Sequence, residues 1–284
     1  MTTFTTSMDW PYRGDAQHRP HIPLPPARMP LLRAGRLLKR WRYVSIWSAD
    51  VSICAARVAV GPVQQEFWAI WYRKEGRLWE HTRLRAGRVH LTPNRLVVRD
   101  GETAIDITLA ETDGFEVVTP LGGGAYTWTR KQNGIRAHGH AQVGNQRIPV
   151  EAVALIDDNA GYHPRHTVWQ WSGGAGRDTQ GRAVAWSVIV GLNDSPVDSE
   201  RSIWIEGVPL EVGPVQFADD LSSVAFEEGG ALYFTPEAER SRKDNLLLIR
   251  SSYRQPFGSF EGTLPGDIQL AEGFGVIEYH EAWW

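Results

Sequence analysis

Cysteine is nearly absent from this chain: Cys54 stands alone among 284 residues. One thiol excludes a disulfide scaffold and any cysteine-rich zinc centre. A surplus of charge is lacking as well, with 30 Lys and Arg against 33 Asp and Glu. Without a basic excess there is no field to release phosphate counterions, so no nucleic-acid partner is expected. Long apolar runs are also missing. The run Leu246–Ile249 is only four residues long, no purely aliphatic stretch exceeds five, and Met1–Arg13 has no apolar core. Neither a secretory signal nor an integral membrane segment is therefore expected, and the chain reads as a soluble cytoplasmic protein. Cofactor motifs are wanting too. Gly122-Gly123-Gly124 lacks the strand-to-helix setting of a phosphate-binding loop and reads as a turn, so no cofactor is expected.

Glycine, proline and tryptophan are plentiful, at 28, 17 and 13. The first two leave little room for long helices. The tryptophans, bulky and each with a ring N–H to satisfy, point to thick sheet packing or a lined cavity. Pro20, Pro23, Pro25, Pro26 and Pro30 favour an extended N-terminal arm over residues 1–34, packed against the body. From Gly35 on, the pattern is strand after strand. Ile105, Ile107 and Leu109 alternate with Asp106 and Thr108, the period of a half-buried strand. Turn pairs such as Asp100-Gly101, Gly144-Asn145 and Glu206-Gly207 separate the runs. Asn133-Gly134 gives the strongest hairpin signal, because both residues tolerate positive φ. Thr235–Arg240 either opens a helix or ends a strand. Val60-Gly61-Pro62-Val63-Gln64 recurs as Val212-Gly213-Pro214-Val215-Gln216, which supports two similar units. The expected fold is all-β: two antiparallel barrel or sandwich lobes, residues 35–160 and 161–284, with the Pro-rich arm across them.

Chemistry concentrates at Asp157–His166, between an apolar strand and one carrying Trp169 and Trp171. Paired carboxylates push one pKa upward, leaving a protonated acid at neutral pH, and a neighbouring histidine relays its proton. The alternative is a structural connection in which Asp158 and Asn159 cap backbone groups. Cys54, among Ala55 and Ala56, reads as core. His138 and His140 share a face with Arg136 and Gln142, a wet face, so no metal site is expected. Tyr126, Trp128 and Arg130 share one face of a strand, where an inward arginine binds a carboxylate or stacks on the indole and an outward one forms a surface ion pair. Asp219-Asp220, and Glu278 with His280, read as solvated or ion-paired.

Six stretches together identify a resemblance: Gly35–Tyr43 (GRLLKRWRY), Tyr126–Gln132 (YTWTRKQ), Asp157–His163 (DDNAGYH), Gly191–Asp194 (GLND), Arg242–Leu248 (RKDNLLL) and Tyr253–Gly258 (YRQPFG). From about Pro30 onward the chain resembles bacterial domain-of-unknown-function family 2804, which brings no activity with it. A distant architectural similarity, with Gly275–Glu278 as its terminal strand, reaches the hydroxyneurosporene-synthase type, the carotenoid hydratases, tocopherol cyclases and decalin-forming cyclases. That similarity implies lipocalin-like lobes.

The leading expectation is a binder of a hydrophobic small molecule, such as an isoprenoid, polyketide or acyl lipid, inside a Trp-lined barrel. Trp128, Trp169, Trp171 and Trp186 would line the cavity, Arg130 or Arg254 would orient a polar end, and Asn193 would join the ligand-binding set. A second expectation is a cofactor-independent cyclase, hydratase or isomerase in the same pocket. There Asp158 would donate the proton, His163 relay it and Tyr162 position the substrate. A third is a structural or interaction protein with filled lobes. Which protein partner it would serve is not legible.

Overall fold

The structure is a computed structural model describing residues 11–246 and 249–284. The first ten residues of the expected arm, and Leu247 and Leu248 of the aliphatic run, lie outside the described residues. Among the described residues the regular structure is β-strand, apart from one 3-10 turn at Arg73–Glu75.

Short strands come first: β1 (Tyr12–Gly14), β2 (Leu32–Arg33) and β3 (Arg36–Leu37). Next are β4 (Lys39–Trp47), β5 (Val51–Val60), β6 (Val63–Tyr72), β7 (Arg77–Arg83) and β8 (Val89–Thr92). The first half closes with β9 (Arg95–Asp100), β10 (Thr103–Leu109), β11 (Phe115–Pro120), β12 (Tyr126–Val143) and β13 (Gln146–Gly161). These strands, except the β2–β3 ribbon, make an 11-stranded antiparallel sheet, with β7-β6-β5-β4-β13-β12-β10-β9-β8 in order and β11 pairing β12 and β1. The second half holds β14 (His166–Asp178), β15 (Ala183–Val190), β16 (Ser202–Ile205), β17 (Val208–Glu211) and β18 (Val215–Phe217). It ends with β19 (Ser223–Phe226), β20 (Ala231–Leu246), β21 (Ile249–Leu264) and β22 (Ile268–Trp283). They form a 9-stranded sheet in the order β17-β16-β15-β14-β22-β21-β20-β19-β18.

Each sheet curls over its own apolar filling. Val44, Ile46, Ile53, Ile70, Leu96 and Ile105 are among the side chains packed inside the first lobe. Trp186, Val188, Phe234, Phe260 and Ile277 pack inside the second. A third cluster belongs to neither interior. Tyr43, Trp47, Cys54 and Leu155 from the first sheet meet Trp169, Trp171, Phe257 and Val276 from the second. The central strands are therefore covered on both faces, one by their own lobe and the other by its neighbour.

Local sequence explains the strands. In β10 the alternating Ile105, Ile107 and Leu109 are buried, while Asp106 faces outward and binds Arg95 and Arg99. Gly173 and Gly174 in β14 let two indoles lie close to the backbone: a Cβ at Gly174 would stand 2.1 Å from the Trp186 ring. Asn133-Gly134 departs from the hairpin expectation. It is a bulge inside β12, where the register shifts between Gln132 and Ile135. Gly134 supplies the positive φ of 73°, and buried Asn133 donates across the seam to the Gly174 and Trp186 carbonyls. Of the two residues only Gly134 takes positive φ, which a bulge uses as readily as a turn does. Thr235–Arg240 is strand, part of β20, with a bulge at Pro236 in place of a helix start. The described part of the arm packs down. Leu24 and Met29 are buried beside Tyr126, Trp128 and Tyr162, and the Tyr126 hydroxyl donates to the Pro23 carbonyl.

Candidate functional site

A cavity of about 180 Å³ lies between the lobes, walled by Trp41, Tyr43 and Phe67 from the first sheet and Trp169, Trp171 and Tyr253 from the second. The expected hollow thus moves from inside a barrel to the seam between lobes, because each barrel interior is filled by its own aliphatic and aromatic side chains. The wall is mostly apolar, and two groups of ionisable residues reach into it.

The first group sits on β20, β21 and β22. Glu278 is buried, with one oxygen accepting from Trp169 Nε1 at 2.8 Å and the other from Gln255 Nε2 at 2.7 Å. Burial pushes its pKa up to about 7, against the pull of those two donors and of the Arg240 charge. His280, on the same face, has Nδ1 3.8 Å from the carboxylate, and its Nε2 meets Ser251 Oγ at 2.8 Å. Burial lowers its pKa to about 3, so the ring is neutral. Opposite His280 in register stands Tyr253. Arg240 Nη1 donates to the Tyr253 hydroxyl oxygen at 3.1 Å, while Arg240 Nε holds Glu80 at 2.7 Å. Burial raises the Tyr253 pKa well above its ordinary value despite the guanidinium. A phenol that accepts from a guanidinium and keeps its own proton is a polarised hydrogen-bond donor.

The second group crosses the seam. Lys131, fully buried on β12, bridges Asp157 of β13 and Glu200 of the β15–β16 connection, each at 3.0 Å. Burial raises the Glu200 pKa, with Lys131 pulling it back.

The residues singled out from sequence scatter over this frame. Trp169 and Trp171 line the cavity. Trp186 instead fills the second lobe, its ring N–H on Ser172 Oγ at 3.1 Å. Trp128 packs beneath the arm. Arg254 faces outward on β21 and pairs with Glu239 at 2.8 Å, since its neighbour Tyr253 takes the inward position. Asn193 is buried behind the site, donating to Glu200 at 2.8 Å.

Asp158 and His163 are not brought together. Asp158 lies with Arg42 and Arg130, both at 2.7 Å. His163 lies with the neighbouring position Asn159 and stacks on Trp41 at 5.4 Å. Alternation along β13 sends residues 158 and 159 to opposite faces of the sheet. Burial lowers the His163 pKa to about 3, and its Nδ1 has no partner. The Tyr162 hydroxyl donates to the Pro30 carbonyl, fastening the arm. Arg130 serves as a counter-ion to Asp158.

Sequence reasoning took Glu278 and His280 as solvated or ion-paired, and gave Tyr253, Arg240 and Gln255 no part in a site. The usable signal was the sequence Glu278-Tyr279-His280 two positions after Val276: strict alternation places both ionisable side chains on the buried parity of the last strand.

Fold and site define a two-lobed all-β protein whose cavity is formed jointly by both lobes. The chain belongs to the family described as a domain of unknown function, DUF2804, whose profile matches residues 88–284. No curated protein matches it. Among solved structures it is similar to kievitone hydratase from Nectria haematococca, with a TM-score of 0.53 and 11% identity over 85% of this chain and 88% of that one. A protein described as an AttH from Nitrosomonas europaea gives a TM-score of 0.48 and 14% identity, over 90% and 97% of the two chains. CghA crystallised with Sch210972 gives 0.42 and 10%, over 96% and 98%. The likeness to kievitone hydratase is one of fold: two lipocalin-like lobes.

Proposed function

We propose that the chain binds a small, largely apolar, carbonyl-bearing molecule between its lobes and moves a proton on it without a cofactor. Tyr253, backed by Arg240, donates a hydrogen bond to the carbonyl oxygen and stabilises the oxyanion that forms when the carbonyl is enolised. Glu278 takes the proton from a carbon next to or conjugated with that carbonyl, and returns it at the same or a neighbouring carbon. Return at a different carbon is isomerisation. Attack by water or by an internal nucleophile on a conjugated double bond, with Glu278 protonating the resulting enolate carbon and taking back the proton that the nucleophile releases, gives hydration or ring closure. The observation that carries this reading is Glu278 itself, a carboxyl lifted to about 7 within an apolar aromatic wall. A group with its pKa near the working pH serves as both acid and base. Kievitone hydratase, by its name a hydratase, has the same fold, which agrees with this chemistry but does not carry it.

Two measurements test the reading. Native mass spectrometry of protein from its own host should find a retained molecule of low mass that is lost in Trp169→Ala. That compound, incubated with protein in D2O, should gain deuterium beside its carbonyl with the native chain and not with Glu278→Gln. Empty spectra, together with no thermal shift from a panel of apolar ketones and enones, would sink the binding claim. Equal deuterium uptake in both proteins would sink the catalytic one.

A further inference from the structure

The chain is close to neutral overall, yet one end of the first lobe is strongly basic. Residues 27–40, 57–65 and 82–88 hold nine Lys and Arg and no Asp or Glu. The fold brings these segments together. The start of β4 pairs the end of β5, which pairs the start of β6, and Glu66 of β6 faces Arg83 of β7. The β2–β3 ribbon joins them through hydrogen bonds from Leu38 N to Leu31 O and from Gly61 N to Leu38 O. Arg28, Arg40, Arg57, Arg85 and Arg88 are exposed, and none of the five forms an ion pair among the described residues. Glu66, the adjacent acid, is buried and spends its carboxylate on the backbone N–H groups of residues 87–89.

The same end carries exposed apolar side chains. Leu31 is 56% exposed, Leu32 60%, Leu37 40%, Val63 43% and Leu84 46%. Val63 and Leu84 also line the interlobe cavity, so the cavity opens beside this greasy rim. Exposed leucines set among unpaired arginines are what an anionic lipid surface recognises: the apolar groups enter the headgroup boundary and the cations meet the phosphates and carboxylates. A water-facing role explains the arginines but leaves five exposed aliphatic residues unaccounted for.

We infer that this end of the first lobe docks on an anionic lipid bilayer, with the cavity mouth turned to the membrane. Docking stands on the surface alone. Uptake of an apolar molecule from the bilayer rests in addition on the function proposed above.

Flotation with vesicles tests it, using phosphatidylcholine alone or with about one-third phosphatidylserine. The native chain should float with the anionic vesicles, not with the neutral ones, and lose them at about 0.5 M salt. Each of Arg28→Glu and Arg40→Glu should weaken partitioning about fivefold or more. The double change Leu31→Ser, Leu32→Ser should also weaken it while leaving the melting temperature unchanged, since both residues are more than half exposed to water. No flotation with anionic vesicles overturns the inference, and so does equal flotation with neutral ones. Binding that needs the arginines but ignores the leucines marks a surface for a soluble polyanion and overturns the lipid assignment. Vesicle binding is read on protein without added ligand, so its failure leaves the retained-molecule and deuterium results standing.

Discussion

A carboxyl whose charge changes near pH 7 leaves a mark on stability as well as on turnover. Glu278 rises from an ordinary 4.5 to about 7 on folding. Between those values the unfolded chain has released the proton and the folded chain holds it, so raising the pH favours unfolding. The penalty is complete above about pH 7, and the shift corresponds to about 3 kcal/mol. Glu278→Gln has no such titration. We expect the melting temperature of the native chain to fall relative to Glu278→Gln as pH rises from 5 to 8, read by scanning calorimetry. A constant difference across that range would show an ordinary carboxyl. Asp158 makes a different forecast from the same residue type. It shares Arg42 and Arg130 with Glu111 on a partly covered face, so Asp158→Asn leaves two guanidiniums with one carboxylate between them. A loss of about 2 kcal/mol in urea denaturation is expected, with the retained molecule unaffected. Loss of the retained molecule at unchanged stability would return Asp158 to the site.

Strands that must satisfy two neighbours at once set the limits of what the sequence discloses. The alternation in β10 was legible because one of its faces meets water. β22 has no wet face at the seam, so Glu278, which reads as a solvated or ion-paired charge, is a buried one. Trp169, Trp171 and Trp186 all read alike as wall, and nothing local distinguishes the first two from Trp186, which fills the second lobe. The basic rim was hidden for another reason: its three segments are distant in sequence and only the β4–β5–β6–β7 pairing adds their charges. Lys131 offers the element-scale test. It is the cation between β12, β13 and the β15–β16 connection, and Lys131→Met leaves Asp157 and Glu200 facing each other without it. The buried Glu200 carboxylate is then without its cation, and the cost should be about 3 kcal/mol where it is charged. As pH falls, Glu200, already raised by burial, takes up a proton in the variant and the repulsion is relieved. The gap in urea midpoint between native and variant chains should therefore shrink from pH 8 to pH 5. A gap that stays constant would mean that the lysine acts by packing alone.

Whether the two lobes melt together follows from where the apolar area lies. The seam is not a thin contact between finished units. Tyr43, Trp47 and Leu155 on one side and Trp171, Phe257 and Val276 on the other are each less than a tenth exposed and belong to one cluster. Polar ties reinforce it: Asn133 binds two carbonyls of the second sheet, and Arg240 reaches Glu80 of the first. If one lobe unfolded alone, the other would expose its half of that cluster and strand Lys131 or Glu200 in an emptied seam. Both penalties are of the order of several kcal/mol, comparable to the whole stability of a domain. Heating should therefore give a single calorimetric transition whose calorimetric and van't Hoff enthalpies agree. Phe257→Ala, which empties the middle of the seam, should cost about 3–5 kcal/mol. It should also split or broaden that transition, because it removes coupling as well as stability. A native chain that already melts in two resolved steps would mean that each lobe's own filling outweighs the seam. The cavity would then lie between bodies free to part, and Glu278 would meet water too readily to hold its proton at pH 7.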